Sequence, residues 1–443
     1  MTPTAEMCGA PGVASLPVSA AGSLLVLLGF AWAVRRSLRG GTPVVMLVLL
    51  VAVIPLQRIG FQVADSQLPL ALAIAPPMVF AAMLGGQLRI DPIRTTAVAV
   101  TLAAVAVVTA IGPSHRVSML SLAMLATIYL PYMLAWPCRP GAFHSVLHCF
   151  QDLMLVGAVF GIVQFAGQFP LGVPAVFPLD SLLPKGVLLQ NFCQFRELQG
   201  DVVKASGMVF LEPSIFSQAL AWALLIEVLY MGRRAWRLLA YGGALALSFG
   251  GTGLALAAIA LPFALLARRH WDLLAVGGLA AAAVVVGLLL VDFRFDVAMR
   301  LGELTDPYSS GFARFVAPVR MVDAYLLTGD AHLWHGYGAG AVTRLVASMP
   351  YDASDPTWVK AFLEYGIIAG TALLVTVCVF GLGIPPRGAA VLGCAAILQY
   401  LLMNGYLLTF TFHILAWVVL VWPRPATEST DAQHAQFSAG FAD

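Results

Sequence analysis

The sequence predicts an all-α protein, a polytopic bundle of about 12–13 transmembrane helices. Of its 443 residues, 60% are hydrophobic and 10% are charged, whereas about 25% of the residues in soluble domains are charged. Apolar runs of about 20 residues, the length of a helix that crosses a bilayer, recur along the chain. The runs are continuous rather than alternating, which favours helices over the strands of a β-barrel.

We interpret residues 1–443 as one integral membrane domain. The apolar runs divide this domain into about thirteen predicted spans. Reading from the N-terminus, the spans cover 18–34, 43–57, 68–84, 95–111, 117–136, 145–167, 208–231, 237–249, 252–267, 272–291, 359–381, 388–408 and 409–423.

The arginines of the short loops predict the orientation of these spans. One set of loops contains Arg35, Arg36, Arg39, Arg89, Arg94, Arg139, Arg233, Arg234, Arg237, Arg268, Arg269 and Arg387. The short loops of the opposite set contain only Arg58 and Arg116. Because cytoplasmic loops carry the excess of basic residues, the first set is predicted to be cytoplasmic. Segments 168–207 and 292–358 are then extracytoplasmic, and the tail 424–443 is cytoplasmic.

Several function classes are disfavoured. The net charge is +2 and the basic residues are scattered among loops, so nucleic acid is not an expected partner. The six cysteines show neither CxxC nor Cys/His ligand spacing, and we expect no disulfide framework, metal site or cofactor. The glycines of LSFGGTGLAL lack the lysine of a phosphate-binding loop. They predict a tight turn that allows two helices to approach closely.

The longest polar stretch, 292–370, is the main candidate for function. It lies between two apolar runs and is far longer than a connection requires. Within it, FARFVAPVRMVDAYLL predicts an amphipathic helix at the membrane interface, with Arg314 and Arg320 on or beside its polar side. Its apolar positions are 312, 315, 316, 319, 322 and 326. The alternative is that these arginines only extend toward lipid head groups.

Glu212 is a second candidate. It lies about one turn inside the outer end of the seventh predicted span, where an unpaired carboxylate is costly. Such a carboxylate is typical of a functional site. The alternative is a helix-start carboxylate, favoured by the helix dipole and followed by Pro213.

Three stretches, in order and spacing, resemble the superfamily of O-antigen ligases and O-antigen polymerases, which are bacterial membrane glycosyltransferases. FLEPSIFSQAL resembles a motif of exopolysaccharide repeat-unit polymerases, and it is followed by a loop with Arg314 and GYGAG and then by AFLEYGIIAG. The resemblance covers roughly residues 205–380 and implies the helical fold of C-type glycosyltransferases. It also implies a multi-pass protein of the bacterial cytoplasmic (inner) membrane.

Members of this superfamily transfer a glycan from an undecaprenyl-pyrophosphate carrier to an acceptor hydroxyl, outside the cytoplasm and without a nucleotide sugar. We expect the activity to be metal-independent, because the outer segments contain no cluster of Asp, Glu, His or Cys with ligand spacing. The resemblance therefore implies as partners the carrier-linked oligosaccharide, membrane lipid, and flippase and chain-length regulator proteins. Guanidinium groups suit the charge of a pyrophosphate leaving group, and the acceptor hydroxyl needs a base. The catalytic candidates are Glu212, Asp355, His335 and Arg314. The candidates for substrate binding are Arg320, Arg300, Arg196, Lys204 and Lys360.

The chain departs from the family at one point. Family members carry a His-Asn pair about nine residues before the glutamate of the last motif, whereas Asp355 and Pro356 occupy those positions before Glu364. The role of the missing histidine could fall to Asp355, to His332 or His335, or to Glu212.

The leading interpretation is polymerisation of carrier-linked repeat units into exopolysaccharide or O-antigen. One alternative is a ligase that transfers the glycan to lipid A core. Others are a lipid-linked-glycan transporter or flippase, and a scaffold subunit of a synthase complex. A transporter should carry its polar residues in mid-span, whereas here they concentrate in one outer layer.

The orientation predicts a labelling pattern. In a cysteine-free background, Ser309→Cys should react with an impermeant maleimide in intact cells, because segment 292–358 faces outward. Gly388→Cys should react only after permeabilisation. The reverse pattern would overturn the orientation and every site assignment that depends on it.

Overall fold

The computed structural model describes most of the chain. The described residues are 16–63, 66–112, 117–136, 141–176, 183–184, 186–189, 197–199, 202–232, 234–275, 304–309, 311–328, 330–382, 389–403 and 405–422. Most of the predicted span 272–291 lies outside these ranges, as do Arg196, Arg300, residues 292–303 and the tail 424–443.

The described chain is mostly helical. Its α-helices are α1 (Leu16–Arg39), α2 (Val44–Val53), α3 (Leu70–Leu84), α4 (Pro92–Ile111), α5 (Met119–Tyr129), α6 (Ala142–Leu171), α7 (Pro213–Tyr230), α8 (Ala235–Leu247), α9 (Gly251–Ala267), α10 (Ala317–Met321), α11 (Asp330–His335), α12 (Ala341–Ala347), α13 (Thr357–Leu382), α14 (Ala389–Leu398) and α15 (Phe410–Leu420). Turns of π-helix cover Phe312–Val316, Val322–Leu326 and Gln399–Met403. Short 3-10 helices cover Leu130–Met133 and Val173–Val176.

Within the described ranges, six short strands form three antiparallel pairs. The pairs are β1 (Gly60–Val63) with β2 (Ser66–Pro69), β3 (Arg89–Ile90) with β4 (Leu134–Ala135), and β5 (Glu197–Gln199) with β6 (Val202–Val203).

Five helices in the described ranges are long and apolar enough to cross a membrane, which suggests a membrane protein. They are Ala21–Arg39, Pro92–Ile111, Ala142–Leu171, Pro213–Tyr230 and Thr357–Gly381. Apolar helices of 10–17 residues occupy several of the other predicted spans. Two of these helices end in an irregular turn: a 3-10 helix follows Tyr129, and a π turn follows Leu398. Their regular α-helical parts are therefore shorter.

Helix α7 lies at the centre of the bundle, with 16 of its 18 residues buried. Helix α9 packs directly on it, because two glycines remove the side chains that would keep the helices apart. A Cβ atom at Gly253 would lie 2.2 Å from the carbonyl carbon of Ser217, and one at Gly250 would lie 2.2 Å from the Ser217 hydroxyl oxygen. The close approach predicted from the glycine-rich turn is confirmed.

Helix α13 is interrupted at Gly366, whose φ of 68° and ψ of −177° are not helical. The glycine cluster of 335–340 packs into this interruption. The backbone N–H of Tyr337 donates to the carbonyl of Leu363 (2.7 Å), and that of Gly338 donates to the carbonyl of Glu364 (2.9 Å). A Cβ atom at Gly366 would lie 2.1 Å from the Trp334 carbonyl oxygen. These glycines therefore allow the backbone of 335–340 to pack closely against that of α13.

Residues 312–326 are helical, as predicted. Phe315 and Val319 are 67% and 59% exposed. The buried side chains are instead those of Phe312, Ala313, Ala317, Pro318, Met321 and Leu326. Each of the two π turns adds a residue to its turn, so the side chains that follow are rotated away from a regular α-helical period.

The contact between α7 and α9 predicts a stability difference between two neighbouring glycines. Gly253→Ala should lower the free energy of unfolding by about 1–3 kcal/mol, because the added methyl group overlaps the backbone of Ser217. Gly251→Ala is the matched control, since a Cβ atom there meets nothing within 4 Å. Thermal unfolding in detergent measures both, and equal midpoints would contradict the packing described.

Candidate active site

A polar pocket of about 760 Å³ lies at the end of α7 that carries Glu212. Separate parts of the sequence form its wall: the start of α7, the turn 308–309, the π turn that contains Arg314, and the loop before α13. The lining residues are Glu212, Tyr308, Ser309, Ala313, Arg314, Val346, Ala347 and 349–354. Two of the four predicted catalytic residues, Glu212 and Arg314, thus line the same pocket.

Glu212 is the N-cap residue of α7. Its backbone is extended (φ −142°, ψ 151°) and Pro213 is the first helical residue, as expected because a residue before proline avoids the α region. The backbone N–H of Phe216 donates to the Glu212 carbonyl (3.1 Å). The Ser214 hydroxyl donates to Glu212 Oε2 (2.9 Å). The carboxylate is therefore held at the start of the helix. This position is expected for a carboxylate that the helix dipole stabilises, and it is also compatible with a functional role.

The surroundings of Glu212 alter its protonation. Burial raises the pKa of Glu212 above the ordinary value of 4.5, while the Ser214 hydrogen bond and the Arg314 charge both act to lower it. Desolvation is the largest of these effects. A carboxylate with a raised pKa is a better proton acceptor than an exposed one.

Arg314 lies on the first π turn, Phe312–Val316. Single π turns in proteins are frequent at functional sites. This turn is tied to the loop before α13 because the backbone N–H of Ser354 donates to the Ala313 carbonyl (2.8 Å). The rings of Phe312 and Tyr351 also meet edge to face at 5.4 Å. The ion pairs that the described residues form within 4.0 Å do not join Arg314 to Glu212.

Asp355 and Lys360 form an ion pair beside this pocket, with 2.8 Å between Lys360 Nζ and Asp355 Oδ2. Neither residue is part of the pocket lining, although the adjacent Ser354 is. Gly405 packs against Asp355, since a Cβ atom there would lie 2.7 Å from the Asp355 carbonyl oxygen. Lys360, predicted to bind substrate, therefore has an acidic partner within the chain.

The remaining predicted site residues lie elsewhere or outside the described ranges. His335 is the last residue of α11, and its Cβ is 3.6 Å from the position of a Cβ atom at Gly112. His332 stacks on Tyr337 at 3.9 Å. Arg320 is exposed, and its guanidinium carbon is 5.0 Å from the centre of the Phe312 ring. Lys204 follows β6 and is partly buried. Arg196 and Arg300 are not described.

The sequence reasoning missed several pocket residues. Tyr308, Ser309, Tyr351, Asp352 and Ser354 all line the pocket. The polar turn YDASDP, just before the span that carries Glu364, was an available signal. Of this turn, the sequence prediction included only Asp355.

Tyr406 was also missed, and it lies close to the pocket in the buried interior. Its side chain is buried, and the charges of Glu212 and Arg314 are near enough to act on it electrostatically. Its backbone N–H donates to the Thr357 hydroxyl (2.9 Å), and its own hydroxyl donates to Gln218 Oε1. Tyr406 therefore connects the start of α13 to α7.

The pocket combines a cationic group that can hold an anion with a carboxylate that can accept a proton. Among the described residues, no group of three or more His, Cys, Asp and Glu side chains is placed to hold a metal ion. Comparison with known proteins adds no assignment, because no protein-family model and no curated protein matches the chain.

The electrostatics of the pocket predict how Glu212 titrates. Arg314→Gln should raise the pKa of Glu212 further, because the charge that favours its ionised form is removed. Glu212 then stays protonated to a higher pH, and Ser214→Ala should act in the same direction. The measurement is the pH titration of the infrared carboxyl band that Glu212→Gln removes.

Arg344→Gln is the control for this titration, since Arg344 is an exposed arginine of the same segment and does not line the pocket. A titration of Glu212 that is the same in Arg314→Gln as in the wild type would contradict the proposed electrostatics.

Proposed function

We propose that this chain is a polytopic membrane glycosyltransferase of the bacterial inner membrane, with a C-type glycosyltransferase-like fold. It polymerises undecaprenyl-pyrophosphate-linked oligosaccharide repeat units into exopolysaccharide or O-antigen at the outer face of that membrane. The observation that carries the proposal is that Glu212 and Arg314 line one pocket at the end of a buried apolar helix.

The position of the pocket suits a substrate with a lipid tail and a polar head. Helix α7 begins immediately after Glu212 and belongs to the five helices that could cross a membrane. The pocket at its end therefore lies where a carrier embedded in the bilayer would present its pyrophosphate and sugars. Its volume of about 760 Å³ falls within the range of small-molecule sites, about 300–1,000 Å³.

The reaction assigns one role to each charged residue. Arg314 binds the pyrophosphate with two N–H groups and stabilises the negative charge that develops on it. Glu212 accepts the proton of the acceptor hydroxyl, whose oxygen forms a bond to the anomeric carbon of the donor. The bond from that carbon to the pyrophosphate breaks, and the carrier pyrophosphate leaves with the electron pair. The donor is already activated, so this transfer needs no nucleotide.

The two main alternatives differ in how they fit this pocket. A ligase that acts on lipid A core would use the same chemistry, and it differs only in the acceptor. A transporter should place polar groups that contact its substrate in a central cavity. The pocket of Glu212 and Arg314 is instead at one end of α7, and the buried polar groups Gln218 and Gln399 in the middle of the bundle are hydrogen-bonded to each other. This arrangement favours an enzyme over a transporter.

The proposal predicts a loss of polymerisation in three variants. Arg314→Ala and Glu212→Gln should each reduce the rate about 100-fold or more, because each removes a preorganised group that acts in the transition state. Arg314→Lys should also be impaired, since lysine keeps the charge but loses the paired N–H geometry. The measurement is the formation of long-chain product from carrier-linked repeat units by purified protein.

Arg344→Lys and Asp323→Asn are the matched controls, because both residues are exposed members of the same segment outside the pocket lining. Both should retain the wild-type rate. The assignment fails if the three pocket variants are present in the membrane at normal abundance and still polymerise at that rate. Transfer to lipid A core without chain growth would instead support the ligase.

A further inference from the structure

A second polar site lies at the opposite end of the bundle. Helices α1 and α6 enclose a cleft of about 390 Å³, lined among others by Arg36 of α1 and by His144, His148 and Asp152 of α6. The three α6 residues are four positions apart, so they follow one another along the same face of the helix. Glu227 of α7 is linked to Asp152 through Arg237. At a rise of 1.5 Å per residue, Glu227 lies about 22 Å along α7 from Glu212. This cleft is therefore separate from the pocket of Glu212 and Arg314.

The acidic groups near the cleft are compensated within the protein. Arg237 Nη2 is 2.8 Å from Asp152 Oδ1, and Arg237 Nη1 is 3.7 Å from Glu227 Oε2. Arg237 is 2% exposed and Glu227 0%. Asp152 also contacts Arg36, at 3.2 Å from Nε to Oδ2. Because an arginine has five N–H donors, this contact leaves four on Arg36, whose side chain is 49% exposed.

The rest of the cleft entrance is basic. Arg35, next to Arg36 in the chain, and Arg39, on the last turn of α1, are both exposed. His148 is exposed on the facing side. Arg234 and Arg268 are near enough to act electrostatically on the imidazoles of His148 and His144. A site with compensated acids and exposed bases suits an anion.

The surface that leads to the cleft is apolar. Along α1, Leu24, Leu25, Leu27 and Leu28 are 56–62% exposed, and Trp32 is 47% exposed. The Arg36 guanidinium carbon lies 5.4 Å from the centre of the Trp32 ring. The helix therefore presents an exposed apolar stripe that ends in a tryptophan and then in arginines. This order matches the tails, the interface and the phosphate of a phospholipid.

We propose that the cleft between α1 and α6 binds the phosphate head group of an anionic phospholipid whose acyl chains lie along α1. Arg36 and His148 contact the phosphate, and Asp152 with Arg237 holds Arg36 in position. This site does not depend on the function proposed for the opposite pocket.

The test uses the full chain, purified in a neutral detergent and examined by native mass spectrometry. Dioleoyl phosphatidylglycerol, dioleoyl phosphatidylcholine and inorganic phosphate are the probes. We expect one phosphatidylglycerol per chain, bound about tenfold more tightly than phosphatidylcholine. Arg36→Gln combined with His148→Gln should remove this tenfold preference. His148→Gln alone, a change at an exposed side chain, should reduce it and tests the site even if the double variant fails to fold.

Arg35→Gln is the matched control, because it removes the same charge from the same turn of α1 outside the cleft lining. It should change the affinity by less than about twofold. An equal loss in Arg35→Gln would overturn the proposal, since binding would then depend on general surface charge. Equal affinity for the two lipids would also overturn it, as would binding of inorganic phosphate without phosphatidylglycerol. Displacement of bound phosphatidylglycerol by inorganic phosphate would support recognition of the phosphate.

Discussion

The burial of α7 is the constraint on which both polar sites depend. Sixteen of its 18 residues are buried, yet a carboxylate lies at each end, Glu212 at the start and Glu227 near the finish. A buried carboxylate must be compensated by hydrogen bonds or opposite charge. Glu212 has the Ser214 hydroxyl and the Arg314 charge. Glu227 has Arg237 and the backbone N–H of Arg234 (3.1 Å). Each end of α7 therefore has at least one arginine close to its carboxylate.

The interruption of α13 brings residues of the preceding loop to the end of α7 that carries Glu212. The break at Gly366 frees the carbonyls of Leu363 and Glu364, and the glycine cluster supplies the N–H groups that satisfy them. The chain that follows this cluster returns to α13 through the loop that lines the pocket. Gly405 lies against Asp355 at the end of that loop, so the position of the loop is fixed by backbone packing on both sides. Irregular backbone in such a bundle is tolerated where it is buried in protein or lines a cavity.

The sequence predicted the features that depend on local pattern and missed those that depend on tertiary structure. Composition predicted the helices, and the cost of a carboxylate in an apolar span singled out Glu212. The helical period predicted α10 and its flanking turns, but it could not show that both flanking turns are π-helical. The Asp152–Arg237 pair joins residues 85 positions apart. The pocket wall at 349–354 likewise meets Glu212 only after folding.

A buried polar network fixes the rotation of α7 and with it the direction of Glu212. Gln218 of α7 donates to the Thr252 hydroxyl of α9 (2.8 Å) and accepts from Gln399 Nε2 (2.6 Å) and from the Tyr406 hydroxyl. A change of one residue in register would rotate Gln218 by about 100° and leave these groups unpaired in a low-dielectric interior, where unpaired polar groups are costly. Because Glu212 caps this helix six residues before Gln218, the network also helps to fix the position of Glu212 at the pocket. The geometry of the site thus depends on residues that are not part of the pocket lining.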